Sequence, residues 1–444
     1  MTQARLRILV IAYEYPPVES AHGLRWGYLS RELCSQGHDV CVVTAAVLGP
    51  SHTSSGFEQA AVVRIFPGPF VGVTGNVSRR LRRSEQSAGG HDVGQPPGII
   101  ERSYRLLRKL LNQVLVPDIR TEWLPWGLAA AKRAIDENRP DVIIASHEPG
   151  VDLAIARRLQ RRYGIPVVAD LGDPVVSPYT PRWRRWLDAR FERRWLADVA
   201  AVSVTTEQTR QLLRTRIPNL RKVPIEVLTQ GFDVHTRLSG STRNSLSFDP
   251  ERLEMLYTGT LYARFRSPAS LLKALQQVPG VRLTVAGHLD GIDPGLLERD
   301  GSVRYVGRLS HAQAREAQRQ ADVLLNIGND FGVQMPGKLF EYLGAGRPIL
   351  HLSSVSDDAS AEIVRDLECG VVVRSDDIPG MVGALKVMQS VKASGEMSDS
   401  CSNLRMQYSW QSIAARLESL LVSLVESNGI GASRAPGFPE QRPK

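Results

Sequence analysis

Apolar residues occur along this chain in short uninterrupted runs separated by amphipathic stretches. Residues 6–12 (LRILVIA) and 38–45 (HDVCVVTA) are such runs, and residues 25–36 between them have helical spacing that ends at Gly37. Runs of branched apolar residues without polar alternation predict strands buried on both faces of a parallel sheet. The start of the chain therefore predicts a β-α-β unit with a right-handed crossover.

The same alternation continues in two blocks. Further strands are predicted at residues 141–146, 166–170, 197–205 and 224–228, and then at 253–257, 281–286, 303–306, 322–327 and 347–352. Further helices are predicted at residues 152–163, 269–277, 313–321 and 338–345. Residues 235–250 are polar and predict a linker between the blocks. Two such blocks indicate an α/β protein with two doubly wound domains.

The domain boundaries follow from this pattern. We place an N-terminal Rossmann-like domain at residues 1–235, a linker at 236–250 and a C-terminal Rossmann-like domain at 251–408. An amphipathic helix follows at 409–425, and residues 429–444 have the Gly/Pro/Arg-rich composition of a disordered tail. Doubly wound sheets bind ligands beyond the carboxyl ends of their strands, so we expect a ligand cleft that both domains face.

Charge adds a question about partners. The formal net charge is +9, and arginines cluster at Arg182, Arg184 and Arg185 and at Arg79, Arg80, Arg82 and Arg83. Such an excess fits either a solvated basic face or an anionic membrane surface. No zinc-ligand spacing or RNA-binding aromatic signature accompanies these arginines, so we expect no nucleic-acid partner. Residues 99–115 mix basic and apolar positions at helical spacing, which fits a helix packed on the core or one at a membrane surface.

The four cysteines, Cys34, Cys41, Cys369 and Cys401, are scattered and form no Cys-x-x-Cys pair. This usage is typical of a reducing compartment and indicates neither a disulfide scaffold nor a metal site. The first apolar run is too short for a signal peptide, and no apolar stretch approaches the length of a membrane span. We expect a cytoplasmic protein, and peripheral attachment to the inner membrane face is compatible with this expectation.

The segment with the most chemical content is residues 326–350 (NIGNDFGVQMPGKLFEYLGAGRPIL). It predicts a strand, a Gly/Pro loop, a helix and a second strand. The loop ends at Gly337, and the helix opens with Lys338 and carries Glu341 one turn later. A helix N-terminus with a lysine suits a diphosphate, and a carboxylate can accept two hydroxyl hydrogen bonds from a ribose. A plain β-loop-α crossover with an exposed lysine and a surface glutamate remains the alternative at this point.

The segment PGKLFEYLGAGRPIL resembles the donor-site helix of retaining glycosyltransferases of family 4, which have the GT-B fold of two Rossmann-like domains facing across a cleft. The resemblance extends over residues 6–425. It implies that Glu341, the second glutamate of a Glu-x7-Glu motif, binds the ribose of a nucleotide. The first glutamate of that motif, which holds the donor sugar, is replaced by Val333.

Three segments of the N-terminal domain also resemble this family. EYPPVESAHGLRWGYLSREL is similar to a first loop and helix that approach donor phosphate or acceptor, which implies that role for Gly23 and Arg25. PDVIIASHEPG is similar to the strand that ends in an active-site histidine, here His147. VVADLGDP is similar to an acidic segment, and its Asp173 joins His147 as a candidate catalytic residue. In that segment Gly172 replaces the family's arginine.

The start of the second domain, MLYTGTLYARFRSP, is similar to the family segment that places an arginine and a lysine against the donor diphosphate. Gly259 and Thr260 lie in this segment, and Thr260 stands where the arginine is expected. Arg266, in preference to Arg264, is therefore assigned to the diphosphate together with Gly337 and Lys338.

The resemblance implies transfer of a sugar from a nucleotide-sugar to a sugar or lipid-linked acceptor, as in polysaccharide biosynthesis. It implies retention at the anomeric carbon, and neither a metal nor a cofactor. Two alternatives stay open: a nucleotide-sugar epimerase of the same fold, and a degenerate subunit that binds without catalysis. A Rossmann dehydrogenase is disfavoured because no Gly-x-Gly-x-x-Gly follows the first strand.

Overall fold

The computed structural model describes residues 5–18, 20–47, 57–71, 119–177, 180–234, 246–263, 267–298, 301–329, 335–395, 403–427 and 429. The chain forms two compact units: Met1–Leu228 with Ala414–Lys444, and Thr229–Ile413. Several predicted features lie outside the described residues: Arg264, Arg266, Val333, the cluster from Arg79 to Arg83, residues 99–115, most of the predicted linker and residues 430–444.

The first unit is built on a parallel sheet, whose described strands have the order β3-β2-β1-β4-β5-β6-β7. Its strands are β1 (Arg7–Ile11), β2 (Asp39–Ala45), β3 (Ala61–Ile65), β4 (Val142–His147), β5 (Val167–Leu171), β6 (Ala201–Val204) and β7 (Ile225–Val227). Strands β1, β4, β5 and β6 are buried throughout, as their continuous apolar runs predict.

Helices cover this sheet. They are α1 (Ala21–Ser35), α2 (Leu124–Glu137), α3 (Gly150–Tyr163), α4 (Arg185–Trp195) and α5 (Glu207–Arg216). The last helix of the chain, Trp410–Ser427, belongs to this unit from Ala414 onward. Within the unit, Glu418 on that helix accepts a 2.8 Å hydrogen bond from the buried His38 ring.

The second unit has a smaller parallel sheet, with the described strand order β10-β9-β8-β11-β12-β13. Its strands are β8 (Leu253–Tyr262), β9 (Val281–Asp290), β10 (Val303–Tyr305), β11 (Val323–Ile327), β12 (Ile349–Ser353) and β13 (Gly370–Arg374). Its helices are α6 (Ala269–Leu275), α7 (Pro294–Leu297), α8 (His311–Gln320), α9 (Lys338–Ala345), α10 (Ala359–Asp366) and α11 (Ile378–Ala393). Met255 and Leu256 on one strand enter separate apolar cores, so both faces of this sheet are covered.

The prediction of two parallel α/β domains is confirmed. Helix α9 covers the predicted residues 338–345, whereas α1 begins four residues before the predicted start. The reason is Ser20, whose hydroxyl caps α1 by accepting a 2.9 Å hydrogen bond from the Gly23 amide. Strands β8 and β9 are ten residues long, well beyond the predicted runs. Among the described helices, none is both long and apolar enough to cross a membrane.

Each sheet reverses its strand order at one place. In the first unit the reversal lies between β1 and β4, and in the second between β8 and β11. Loops leave the sheet in opposite directions at such a point and open a crevice beyond the carboxyl ends of the strands. His147 ends β4, Gly259 and Thr260 lie near the end of β8, and the segment after β11 leads to Lys338. Sequence-predicted residues therefore occupy the reversal point of each sheet.

Candidate functional site

In the second unit, the first turn of α9 holds an ion pair between two predicted residues. The Lys338 ammonium donates to both carboxylate oxygens of Glu341, at 2.9 and 2.8 Å. The two side chains are 36% and 22% exposed, so the pair is partly open to solvent. Their i,i+3 spacing on a helix brings them onto one face. Lys338 and Glu341 are thus held together before any ligand arrives.

A buried glutamine links this pair to the end of β8. The Gln318 amide donates to a Glu341 carboxylate oxygen at 3.3 Å and to the Thr258 hydroxyl at 2.8 Å. Burial by itself raises the pKa of Glu341, but the charges of Lys338 and His311 and the hydrogen bonds outweigh it and hold that pKa below its ordinary value. Glu341 is therefore an ionised acceptor at neutral pH. Neither Gln318 nor Thr258 was predicted as a site residue, and no sequence signal marks them.

The end of β8 is fixed on the same network. The Thr258 backbone amide donates a 2.9 Å hydrogen bond to the Tyr342 hydroxyl oxygen. The next residue, Gly259, has φ +144°, and a Cβ placed on its β9 partner Gly287 would lie 1.7 Å from the Gly259 carbonyl oxygen. Only glycines permit this close approach. Thr260 follows directly, and its carbonyl accepts a 2.9 Å hydrogen bond from Tyr257. Gly259 and Thr260 are thus adjacent to the network that contains Glu341.

A second polar cluster, absent from the sequence predictions, lies at the end of β11 and β12. The buried His351 ring contacts Asn326 at 2.8 Å through Nδ1 and Asp358 at 2.9 Å through Nε2. Asp358 also accepts from the Ser353 hydroxyl at 2.8 Å. A Cβ at Gly328 would lie 2.7 Å from Asp358, so the cluster fixes the backbone where β11 ends. Both nitrogens of the His351 ring and the Asp358 carboxylate are hydrogen-bonded within the cluster, which favours a structural role.

In the first unit, His147 is buried at the end of β4. Its Nδ1 lies 3.0 Å from the carbonyl oxygen of Asp173 and must be the donor, because a carbonyl only accepts. In the neutral ring the acceptor nitrogen is then Nε2. The backbone on both sides is held as well: the Gly172 amide donates to the His147 carbonyl at 2.9 Å. The structure therefore brings the two predicted catalytic residues together, through the Asp173 backbone.

Packing explains why position 172 is a glycine, where the resemblance predicted an arginine. A Cβ at Gly172 would lie 2.3 Å from the Cε1 atom of His22, on the first turn of α1. His22 is half-buried, and its Nδ1 finds no hydrogen-bond partner among the described residues. The space that a larger side chain would need at position 172 is thus filled by His22. Sequence reasoning missed His22 because its neighbour lies in a distant segment.

Arg25 occupies a different environment from the predicted one. Its guanidinium is fully buried and binds both carboxylate oxygens of Asp170, at 2.9 and 2.8 Å. The Ser203 hydroxyl donates a 2.7 Å bond to the same carboxylate. Burial raises the pKa of Asp170, but Arg25, Ser203 and His22 outweigh it and hold that pKa below its usual range. The Arg25 guanidinium thus has a structural partner inside the unit, whereas the resemblance implied a place near the donor phosphate or the acceptor.

Gly23 is also explained by packing. Its amide is used by the Ser20 cap, and a Cβ there would lie 2.6 Å from the Val18 carbonyl oxygen. Position 23 therefore requires glycine to let the first loop close on α1.

Within the residues that the structure describes, no group of three or more His, Cys, Asp or Glu side chains is placed to hold a metal ion.

Comparison with family models gives two adjacent matches. The model of the glycosyl transferase 4-like domain matches residues 21–231. The model of glycosyl transferases group 1 matches residues 252–389, which include β8, α9 and the Lys338–Glu341 pair. No curated protein matches the chain in a comparison of sequences.

Solved structures of low sequence identity share the fold. Sucrose-phosphate synthase from Thermosynechococcus elongatus is 15% identical with a TM-score of 0.64, and the match covers 95% of this chain and 100% of that one. HepE from Anabaena, solved with UDP, is 11% identical with a TM-score of 0.58, over 94% of this chain and 100% of HepE. A glycosyltransferase from Rickettsia africae is 10% identical with a TM-score of 0.53, and the match covers 95% of this chain and 99% of that one. At such identities the likeness concerns the fold.

Proposed function

The chain belongs to the glycosyltransferases of the GT-B fold, with a family 4-like domain followed by a group 1 domain, and we propose that it moves a sugar from a nucleoside diphosphate sugar to an acceptor hydroxyl. The observation that carries this proposal is the Lys338–Glu341 pair on the first turn of α9, beside the reversal point of the second sheet. It sets a cation and an ionised acceptor side by side where such sheets bind nucleotides.

Binding of the nucleotide rearranges this pair. A ribose presents two adjacent hydroxyls, and both can donate to the Glu341 carboxylate. The Lys338 ammonium then moves from Glu341 to the diphosphate, where the first-turn amides of α9 add their partial positive charge. Gln318 keeps its contact with Glu341 and holds the carboxylate in place. Arg266 is proposed as a second cationic contact to the diphosphate.

Uridine diphosphate is the proposed nucleotide. The Anabaena protein HepE, which shares the fold, has been solved with UDP, with UDP and glucose, and with UDP-glucose. The donor-site residues of the present chain carry no feature that separates uracil from other bases, so the proposal rests on this neighbour.

The chemical step is departure of the nucleoside diphosphate. Negative charge grows on the leaving diphosphate, and Lys338 and the α9 amides stabilise it more in the transition state than in the ground state. In the first unit, His147 is proposed as a catalytic residue, and its ring orientation is fixed by the Asp173 carbonyl. We infer retention at the anomeric carbon and catalysis without a metal, as the resemblance to family 4 implies.

The acceptor is proposed to be a sugar, free or lipid-linked, and the enzyme to act in the cytoplasm. Support for that compartment comes from the thiols. Cys34 and Cys41 form no disulfide, and burial raises the pKa of Cys41 to about 12. Buried thiols of this kind are chemically inert and need no oxidising environment.

Release of UDP from a panel of UDP-sugars, measured with and without mono- and disaccharide acceptors, tests the proposal. We expect release that depends on acceptor, that survives EDTA, and that yields a product whose anomeric proton coupling in NMR matches the donor configuration. Conversion of the donor to another nucleotide-sugar without acceptor would indicate an epimerase instead. Nucleotide binding without turnover on any acceptor would indicate a degenerate binding subunit.

A further inference from the structure

The first unit contains a cavity of about 310 Å³ between helices α3 and α4. Four arginines line it: Arg157, Arg158 and Arg161 on α3, and Arg194 on α4. Phe191 and Trp195 form an aromatic wall, with ring centroids 5.1 Å apart. All the lining residues belong to the first unit, whereas the Lys338–Glu341 pair belongs to the second.

The positive charge in this cavity is poorly compensated. Among the described lining residues there is no carboxylate. Arg157 reaches Asp198 at 3.3 Å, and Arg158 donates to the Ala154 carbonyl at 2.8 Å, which is a neutral acceptor. The acidic residues of α4 do not neutralise the cavity arginines, because they are buried in ion pairs with other arginines: Asp188 with Arg184, and Glu192 with Arg216. Helix α4 therefore segregates its charges, with the carboxylates inward.

The guanidinium groups are close enough to oppose one another. Burial lowers the pKa of Arg158, and the charges of Arg194 and Arg157 lower it further. Like charges held together by a rigid fold destabilise the empty cavity, and an anion that enters relieves this repulsion. The aromatic wall excludes water on one side, which strengthens the attraction.

We propose that this arginine cavity binds a phosphate group, at a site separate from the nucleotide. Guanidinium groups donate two parallel hydrogen bonds to phosphate oxygens, and several of them around one cavity favour phosphate over carboxylate. The volume lies at the low end of ligand pockets and accommodates a phosphate with a small organic substituent. The ligand is either a soluble phosphate ester or a phospholipid headgroup.

The N-terminal end of α4, the helix whose C-terminal half lines the cavity, supplies a feature that separates these two sources. Trp183 and Trp186, at the start of α4, are 58% and 67% exposed. Exposed tryptophans beside arginines are the combination that enters a membrane interface, because the ring has an apolar body and a polar N–H group. A headgroup ligand therefore requires these tryptophans, whereas a soluble phosphate ester does not.

The test compares two double variants in a common Lys338→Ala background, so that phosphate bound at the nucleotide site is weakened and contributes equally to both. Arg158→Gln/Arg194→Gln removes two cavity charges. Arg214→Gln/Arg221→Gln removes two exposed charges elsewhere in the same unit and serves as the matched control. Thermal shifts are measured with phosphate and pyrophosphate against chloride at equal ionic strength. Flotation is measured with vesicles of phosphatidylglycerol and phosphatidylcholine, and with phosphatidylcholine alone.

We expect the Arg214→Gln/Arg221→Gln control to bind one of these probes with the same affinity as the Lys338→Ala protein. The Arg158→Gln/Arg194→Gln cavity variant should bind that probe at least fivefold more weakly. A soluble ligand gives shifts with pyrophosphate that are unchanged by Trp183→Ser/Trp186→Ser. A headgroup ligand gives binding to anionic vesicles that this tryptophan variant weakens. Without ligand, the cavity variant should unfold at an equal or higher temperature than the control, since repulsion is removed. Equal behaviour of cavity variant and control, or no binding of any probe, overturns the proposal.

Discussion

Two ion pairs, one in each unit, have nearly the same distance between cation and carboxylate but differ in their exposure to solvent. Arg25 and Asp170 in the first unit meet at 2.8 Å, with side chains 0% and 3% exposed. Lys338 and Glu341 in the second unit also meet at 2.8 Å, with side chains 36% and 22% exposed. The resemblance implied that Lys338 contacts the donor diphosphate and that Arg25 approaches either the donor phosphate or the acceptor.

The exposure of each pair to solvent decides whether its cation can leave the carboxylate and bind a ligand. A buried cation cannot leave its carboxylate without leaving an uncompensated charge, so the Arg25–Asp170 pair is a fixed part of the interior. A partly exposed pair contributes little to stability and can exchange partners at small cost. Lys338 is therefore available to a ligand and Arg25 is not.

The largest effect that would break this comparison is expected from Asp170→Asn. The change leaves the Arg25 guanidinium buried without its counter-ion, and such losses are about 3–5 kcal/mol. The free energy of unfolding from urea titration measures it. Glu226→Gln is the matched control, since its pair with Arg416 is exposed and should be worth about 0–1 kcal/mol. A loss below about 1 kcal/mol for Asp170→Asn would remove the distinction between the two pairs.

Lys338→Ala should have the reverse profile. Stability should change by less than about 1 kcal/mol, because the pair it breaks is partly exposed. Turnover should fall by about 10²–10³-fold, the usual effect of losing one preorganised contact to a developing negative charge. KM for the donor should change less than kcat. Lys386→Ala, an exposed lysine on α11, is the control, and an unchanged kcat in Lys338→Ala would reject the diphosphate contact.

Gly172→Ala examines the packing that surrounds the buried pair. The added Cβ meets the His22 ring, and overpacking of this kind costs about 1–3 kcal/mol. In a His22→Ala background the same change should cost much less, and the double-mutant cycle reports the coupling. Independent, additive effects in the cycle would show that His22 does not fill the space beside Gly172.

The smallest effect concerns acid stability. The folded state lowers the pKa of Asp170, so its contribution is present above the unfolded value of about 3.9 and is lost as the pH falls through the folded pKa. Urea unfolding of the wild type should weaken between about pH 4 and pH 2 by up to about 1.4 kcal/mol per unit from this group. Asp170→Asn should have a shallower acid limb, and parallel curves would contradict the assignment.

Local chemistry explains what the sequence could predict. Helix α9 matches its predicted span because Gly337 and Gly346 flank a short amphipathic segment, and Gly346 ends it with φ +75°. The i,i+3 spacing of Lys338 and Glu341 on this helix is also enough to predict that the two side chains contact each other. Apolar runs located the strands that form the buried centre of each sheet.

Features that depend on distant segments could not be predicted. Arg25 finds Asp170 across 145 positions of chain, and His22 fills the space beside Gly172 only after both segments are in place. The length of β8 depends on the contact of Gly259 with Gly287, a pairing that no local pattern encodes. The amino-acid type and its position in a loop or first helical turn therefore indicated a candidate binding residue. Burial in the folded unit decided whether its side chain could contact a ligand.

The central claim is that Glu341 binds the nucleotide, and calorimetric titration with UDP tests it most directly. The wild type should bind UDP, and Glu341→Gln should lose about 1.5–3 kcal/mol of binding free energy, as expected for hydrogen bonds to a charged acceptor. Glu362→Gln, an exposed glutamate in the first turn of α10, should bind like the wild type. Equal affinity of the Glu341 and Glu362 variants would contradict the account and place the nucleotide elsewhere.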